Sequence, residues 1–371
     1  MSVRKIDFQG GGRFYAELKD GVRQYLADRP RVRRAQRRMY VKSAVILAWA
    51  VGSWALLVFW ADSLWLGGLL AISLGLALAG IGFNLTHDAN HGSYSPHRWL
   101  NRTMRWSLDL IGGSSYVWCV RHNVVHHTFT NISGADCDVE QLPFLRLSPE
   151  QPWCWYHRYQ HLYNWPLYGG LAVTWQLFGD FNQLRKGKIE GTPLPWPRGW
   201  ELVGFWTGKL VFVTWAVMIP LLVRPVWQVA VGFLAASFVM AFALGVTFML
   251  AHCVEEAQVS TVSQMDADGP TEWARHQVAT TVNFRPGVPM LGWYLGGLNY
   301  QIEHHLFSRV CHVHYPALAP MVQEVCTRHG VEYQEHPSAW NAVVSHFRWL
   351  RLLGRPASAG AGLGLAPAST R

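Results

Sequence analysis

The sequence predicts an all-α integral membrane protein: four transmembrane helices in two hairpins, with a cytoplasmic helical cap that gathers histidines. Three observations carry this. Half of the 371 residues are hydrophobic while only 15% are charged, against roughly 25% in ordinary soluble domains. Twenty tryptophans suit a chain with long boundaries at the membrane–water interface. Four apolar stretches, roughly 43–61, 64–87, 203–223 and 226–251, are each long enough to cross about 30 Å of hydrocarbon.

Residues 1–42 are polar and basic and end in an arginine-rich run from Arg29 to Arg38. This segment has neither the apolar core nor the cleavage site of a signal peptide. Placed directly before a span, the run is expected to meet anionic headgroups. Asp62-Ser63 and Arg224-Pro225 are short enough to join neighbouring spans as hairpins. The stretch of about 88–202 is too polar to lie within hydrocarbon, and its apolar part, Leu162–Phe181, is interrupted by Pro166 and Gly169-Gly170. An interfacial helix pair is expected there. Of 32 lysines and arginines only Lys209 and Arg224 fall within the spans or their outer turns. The positive-inside bias therefore puts the N-terminal segment, the central stretch and the C-terminal segment on the cytoplasmic side, a parity that four crossings satisfy. Lys209, the one charge inside a span, is expected to snorkel. The unit of 43–353 is followed by a tail, 354–371, low in bulky residues and expected to be disordered.

The net charge of +9 is compatible with nucleic acid, anionic lipid or an acidic partner. The apolar spans favour lipid, and no nucleic-acid motif occurs. Six cysteines (Cys119, Cys137, Cys154, Cys253, Cys311, Cys326) show no C-x-x-C pairing, so neither a disulfide framework nor a thiolate site is expected.

Histidine is the chemical signal. His87 and His91 stand four apart where the second span ends; His122 and His126 repeat the spacing, with His127 beside them. Gln301, His304 and His305 stand at i, i+3 and i+4, and His252 terminates the fourth span. Such spacings place rings on one helical face, and imidazole is the commonest metal ligand. One histidine or one HxxxH is ordinary; three clusters, two of them at membrane exits, form a specific set. His157 and His161 share the spacing but lie far from any span end and are expected not to bind metal. His97, His329, His336 and His346 lack clustered partners, whereas His276, His312 and His314 remain open. Imidazole suits iron, copper, nickel and zinc alike, but eight histidines exceed the four ligands of a structural zinc. Two ions with open positions fit better. Asp88, Glu303 and Asn299 are placed to accept hydrogen bonds from ring N–H groups.

At these residues the chain resembles the membrane-bound fatty acid desaturase superfamily, whose hallmark is three histidine boxes divided by membrane hairpins. The glutamine-first third box, Gln301-Ile-Glu-His304-His305, is similar to the front-end class that includes cyanobacterial acyl-lipid and linoleoyl-type desaturases. The similarity runs from about Tyr40 to Arg351, through Arg121-His122, Thr130-Asn131, Leu250 to Glu255, Asn299 and Cys311 to Pro316. The resemblance implies two iron ions held by His87, His91, His122, His126, His127, His252, His304 and His305, with Gln301 a weaker or water-mediated ligand. It implies O2 as co-substrate and a lipid acyl chain as substrate, oxidised to an alkene. Ser308 stands where the family usually has proline, and no fused haem-binding cytochrome b5 motif occurs. Electrons are then expected from a separate protein, ferredoxin or cytochrome b5, to a bacterial inner-membrane enzyme. Trp118, Trp293 and Tyr294 are candidate linings of an apolar tunnel. Hydroxylation, epoxidation and acetylenic-bond formation stay open as outcomes of the same centre. A non-catalytic zinc-binding membrane protein is a more distant alternative, and a transporter lacks the inverted repeat it needs.

Overall fold

The computed structural model describes residues 6, 8–9, 12–138, 144–269, 271–285, 287 and 289–356. Four helices in it are long and apolar enough to cross a membrane: Arg29–Trp60, Leu64–His91, Trp200–Leu221 and Val226–His252. The first starts earlier than hydropathy alone predicts. The Asp28 carboxylate accepts the Arg31 backbone N–H at 3.1 Å, and Pro30 occupies the first turn, where its missing N–H is harmless. The arginine-rich run is therefore helical and continuous with the span. Ser63 caps the second span by accepting the Leu66 N–H. That span continues through a widened turn at Gly82–Thr86 and ends at His91, with Gly92 (φ 74°) closing the helix. The first histidine pair thus occupies the terminal turn of a span.

The fourth span is the centre of the packing, held between the second span and the helix Gln160–Thr174. Lipid tails are as apolar as leucine, so helices associate here through close approach of small residues. Gly75 supplies it: a Cβ there would stand 2.6 Å from the Ala236 carbonyl oxygen.

Two expectations need correction. The 162–181 stretch is not a helix pair. Gln160–Thr174, a widened turn Trp175–Gly179 and Asp180–Lys186 form one unbroken run. Pro166 removes a single hydrogen bond, too little to split a helix packed along the fourth span. Lys209 does not snorkel; it is buried, and its Nζ donates to Asp180 at 2.6 Å and to the Gly112 carbonyl at 2.7 Å. The N-terminal segment also contributes to the packing. Arg13–Ala27 buries Phe14, Leu18 and Val22 against Leu318, Val322 and Val325 of the helix Tyr315–Arg328. Of the expected disordered tail, 354–371, residues 354–356 are described, the Gly354 carbonyl accepting from Trp153 Nε1 at 2.9 Å, and the rest lies outside the described residues.

The segments between and after the spans are tied by two-residue parallel pairings, Ile132–Ser133 with Ser260–Thr261 and Asn283–Phe284 with Glu335–His336. The helix Ala339–Leu353 is fixed by His346, whose Nδ1 donates to the Cys253 carbonyl at 2.6 Å while Nε2 accepts from the Tyr168 hydroxyl at 2.8 Å. One N–H and one lone pair are both used, so the ring is held neutral. All six cysteines are free thiols.

Lys209→Met should lower stability by about 3–5 kcal/mol by stranding a buried carboxylate, measured as thermal unfolding in detergent; adding Asp180→Asn should recover most of the loss. Burial pushes His346 down to about 4, whereas the unfolded ring titrates near 6.5. Its stabilisation is therefore complete above about pH 6.5 and lost as pH falls toward 4, roughly 3 kcal/mol in all. The stability–pH curve of His346→Gln should be flatter than wild type across that window.

Candidate metal centre

Four distant parts of the chain converge on one buried pocket. The last turn of the second span brings His87 and His91, and the fourth span ends on His252. The run Ser115–Trp118, Cys119–His126, His127–Phe129 brings His122, His126 and His127. Gln301–Leu306 brings His304 and His305. All eight rings are buried. The Cys119–His126 stretch is wound more widely than an α-helix, a departure common at functional sites.

Two groups of nitrogens form. His87, His91, His122 and His304 have ring nitrogens within 4.8 Å of one another, as do His126, His252 and His305. His127 lies between: its Nε2 is 3.2 Å from that of His122 and 3.0 Å from that of His304. One ring nitrogen carries either a proton or a lone pair, so it cannot pair properly with both neighbours. The unpartnered nitrogens point the same way. Among the described residues His87 Nδ1, His91 Nε2, His126 Nε2, His252 Nδ1 and His305 Nε2 are buried without a hydrogen-bond partner. Buried polar atoms of a native protein are normally satisfied. The unpartnered Nε2 atoms of His91, His126 and His305 fit a bound cation.

Outer contacts fix the rings. His126 Nδ1 lies 3.0 and 3.1 Å from the two Asp136 oxygens, and His305 Nδ1 donates to Gln277 Oε1 at 2.8 Å. In both, the proton is held outward and the Nε2 lone pair faces the pocket. Electrostatics agree. Burial pushes His122 down to about 3. Burial, then the charge of neighbouring rings, holds His127, His304 and His305 far below the usual imidazole range. Burial opposes protonation of His126 too, but Asp136 outweighs it and the ring sits above its usual value.

The three predicted hydrogen-bond acceptors fare differently. Asp88 accepts from His312 Nδ1 at 2.9 Å and lies only within 3.9 Å of His87 Nδ1. Glu303 accepts from Asn283 at 2.8 Å and Tyr333 at 2.9 Å, and burial pushes it up to about 7. Asn299 bonds the Phe284 carbonyl at 3.3 Å. Glu303 and Asn299 touch no histidine ring because both point back into the loop pairing of residues 283–284. The Gln301 amide instead faces His252 Nε2 at 2.9 Å. Of the open histidines, His312 joins Asp88, His276 bonds the Thr130 carbonyl at 2.9 Å and His314 meets the Tyr25 hydroxyl. His157 and His161 belong to no metal-capable group among the described residues.

Sequence reading missed Asp136, Asp138 and Gln277. The first two were visible as an acidic D-C-D ten residues past His126. Gln277 carried no local signal.

An apolar cavity of about 280 Å³ abuts the cluster, with His87, His122 and Gln301 at one end and Trp118, Phe248 and Trp175 along its walls. Trp118 thus lines it as expected. Trp293 and Tyr294 do not: Trp293 stacks on Lys42, and Tyr294 donates to the Leu76 carbonyl at 2.7 Å.

The fatty acid desaturase family model matches residues 63–337. The chain is 38% identical to an sn-1 linoleoyl-lipid 6-desaturase of Arthrospira platensis over 94% of this chain and 95% of that one. It is 33% identical to a protein of the same name from Synechocystis sp., over 96% and 99%. It is 35% identical to an acyl-lipid (8-3)-desaturase of Physcomitrium patens, over 92% and 72%.

Asp136→Asn should lower metal retention about 10- to 100-fold, the usual cost of losing a ligand's outer carboxylate. Elemental analysis after dialysis against a graded chelator checks this.

Proposed function

The chain belongs to the fatty acid desaturase family, and from that premise we propose that it is a di-iron acyl-lipid desaturase of the front-end type, acting on chains esterified in membrane glycerolipid. The relatives' names support the substrate class. The observation that carries the reading is the meeting of eight buried imidazoles, drawn from four distant segments, at the end of an apolar cavity.

His87, His91, His122 and His304 are the proposed holders of one iron; His126, His252 and His305 hold the second, with His127 between them and Gln301 a weaker ligand. Iron in such a nitrogen field, with O2, two electrons and two protons, would supply the oxidising power to take two hydrogens from adjacent methylenes, leaving an alkene and two waters. The rest falls to the protein's own residues. Trp118, Phe248 and Trp175 give the acyl chain an apolar wall and keep water from the reacting carbons. Asp136 and Gln277 keep the His126 and His305 lone pairs aimed inward.

Residues 43–353 form the catalytic unit in this reading. The spans pair as two hairpins, and the histidine-bearing segments form a cap on the cytoplasmic side of a bacterial inner membrane. The concentration of Lys and Arg outside the spans supports that orientation. Electrons come from a separate donor, ferredoxin or cytochrome b5, whose acidic surface would complement the positive one.

Expression in a host of defined lipid composition should yield acyl chains with one additional double bond, read by mass spectrometry of the fatty acids. His126→Ala should abolish the product and lower bound iron. A hydroxylated or epoxidised product, or none despite bound iron and supplied reductant, would overturn the desaturase assignment.

A further inference from the structure

Two cavities lie end to end along the second and fourth spans. The cavity beside the histidines reaches Gly82 on the second span and Met240 on the fourth. A larger one, about 510 Å³, begins at Leu78 and Ser237. The step between them is three or four residues, about 5 Å or one helical turn. From His87 back to Leu78 the second span covers roughly 14 Å.

What fills that step is polar. Gln176 is buried in apolar surroundings. Its Nε2 donates to the Ile111 carbonyl at 2.8 Å, and its Oε1 accepts from the Ser237 hydroxyl at 3.0 Å. Ile111 lines the histidine-side cavity, whereas Gln176 and Ser237 line the other. The hydrogen-bonded trio is therefore the wall both cavities share. The loop carrying Ile111 is pinned from its other side by Lys209, which donates to the Gly112 carbonyl. Gly112 itself has φ +100°, and a Cβ there would stand 2.8 Å from Gln176 Cγ and 2.9 Å from the Phe212 ring. An apolar chain pushing past would strand an amide, a hydroxyl and a carbonyl together. Unsatisfied polar groups in a dry interior are costly, so the wall resists displacement although it is only one side chain thick.

We infer that Gln176, latched to Ile111 and Ser237, is the floor that limits how far an acyl chain extends beyond the histidine cluster, the larger cavity receiving the methyl end once that latch is removed. Gln176 is then a chain-length specificity residue. The inference rests on the acyl-chain reading of the first cavity.

The test uses full-length protein in phosphatidylcholine vesicles whose acyl chains, of graded length, carry a diazirine at the methyl end. Crosslinks are mapped by mass spectrometry, a readout independent of turnover. In wild type the label should advance with length to Trp175 and Met240 and then stop. In Gln176→Ala the longest chains should label Phe212 and Trp215 of the larger cavity severalfold more, and Ser237→Ala should shift the label part of the way. Wild-type chains that already label Trp215, an unchanged pattern in Gln176→Ala, or no label in either cavity would overturn the inference. If the alanine variant does not fold, the wild-type length series decides: a label that keeps advancing past Met240 overturns the floor, and one that halts there supports it. Desaturation is scored separately in the same samples. With bound iron, O2 and a supplied reductant, absence of new double bonds beside the expected crosslinks would overturn the catalytic reading and leave the floor standing.

Discussion

Eight imidazoles packed within a few ångströms of one another and away from water impose the constraint on which the rest of the architecture depends. Burial holds His122, His127, His304 and His305 below the usual imidazole range, and several ring nitrogens of the cluster meet no hydrogen-bond partner. That arrangement is unfavourable by itself and favourable around a cation. Metal binding and the folding of these segments are therefore expected to be coupled.

Holding so many rings inward requires rigidity behind them, and the surrounding elements supply it. Asp136 and Gln277 grip the outer nitrogens of His126 and His305. The Asn131 side chain donates to the carbonyls of His252, Gln258 and Thr280, joining the end of the fourth span to two loops. His346 ties the C-terminal helix to the same corner. Each tie is a directional bond between segments far apart in sequence. Together they offset the ordering cost of the loops that carry the ligands.

The spans contribute in a different way. Bilayer hydrocarbon gives no hydrophobic drive for helix association, so the second and fourth spans meet through small residues such as Gly75, and other segments join through buried polar pairs. Lys209 with Asp180 and Gln176 with Ile111 and Ser237 are such pairs. The Gln176 contacts also lie between two apolar cavities, one ending at the histidines. The polar groups that hold the spans together thus shape the space offered to a lipid chain.

The amino-acid sequence alone determined the span count, the placement of His87 and His252 at span ends, and the identity of the clustered histidines. These follow from apolar run length and residue spacing, which are local quantities. It could not determine which carboxylates would serve the rings. Glu303 and Asn299 are neighbours of His304 in sequence, yet they bond to Asn283, Tyr333 and Phe284. Asp136 and Gln277 arrive from loops whose course depends on pairings such as Ile132 with Ser260. The same limit explains Lys209, whose partner Asp180 lies on a helix that the position of Pro166 suggested would be broken. Hydrogen-bond partners are set by three-dimensional proximity, and only the tertiary packing decides that.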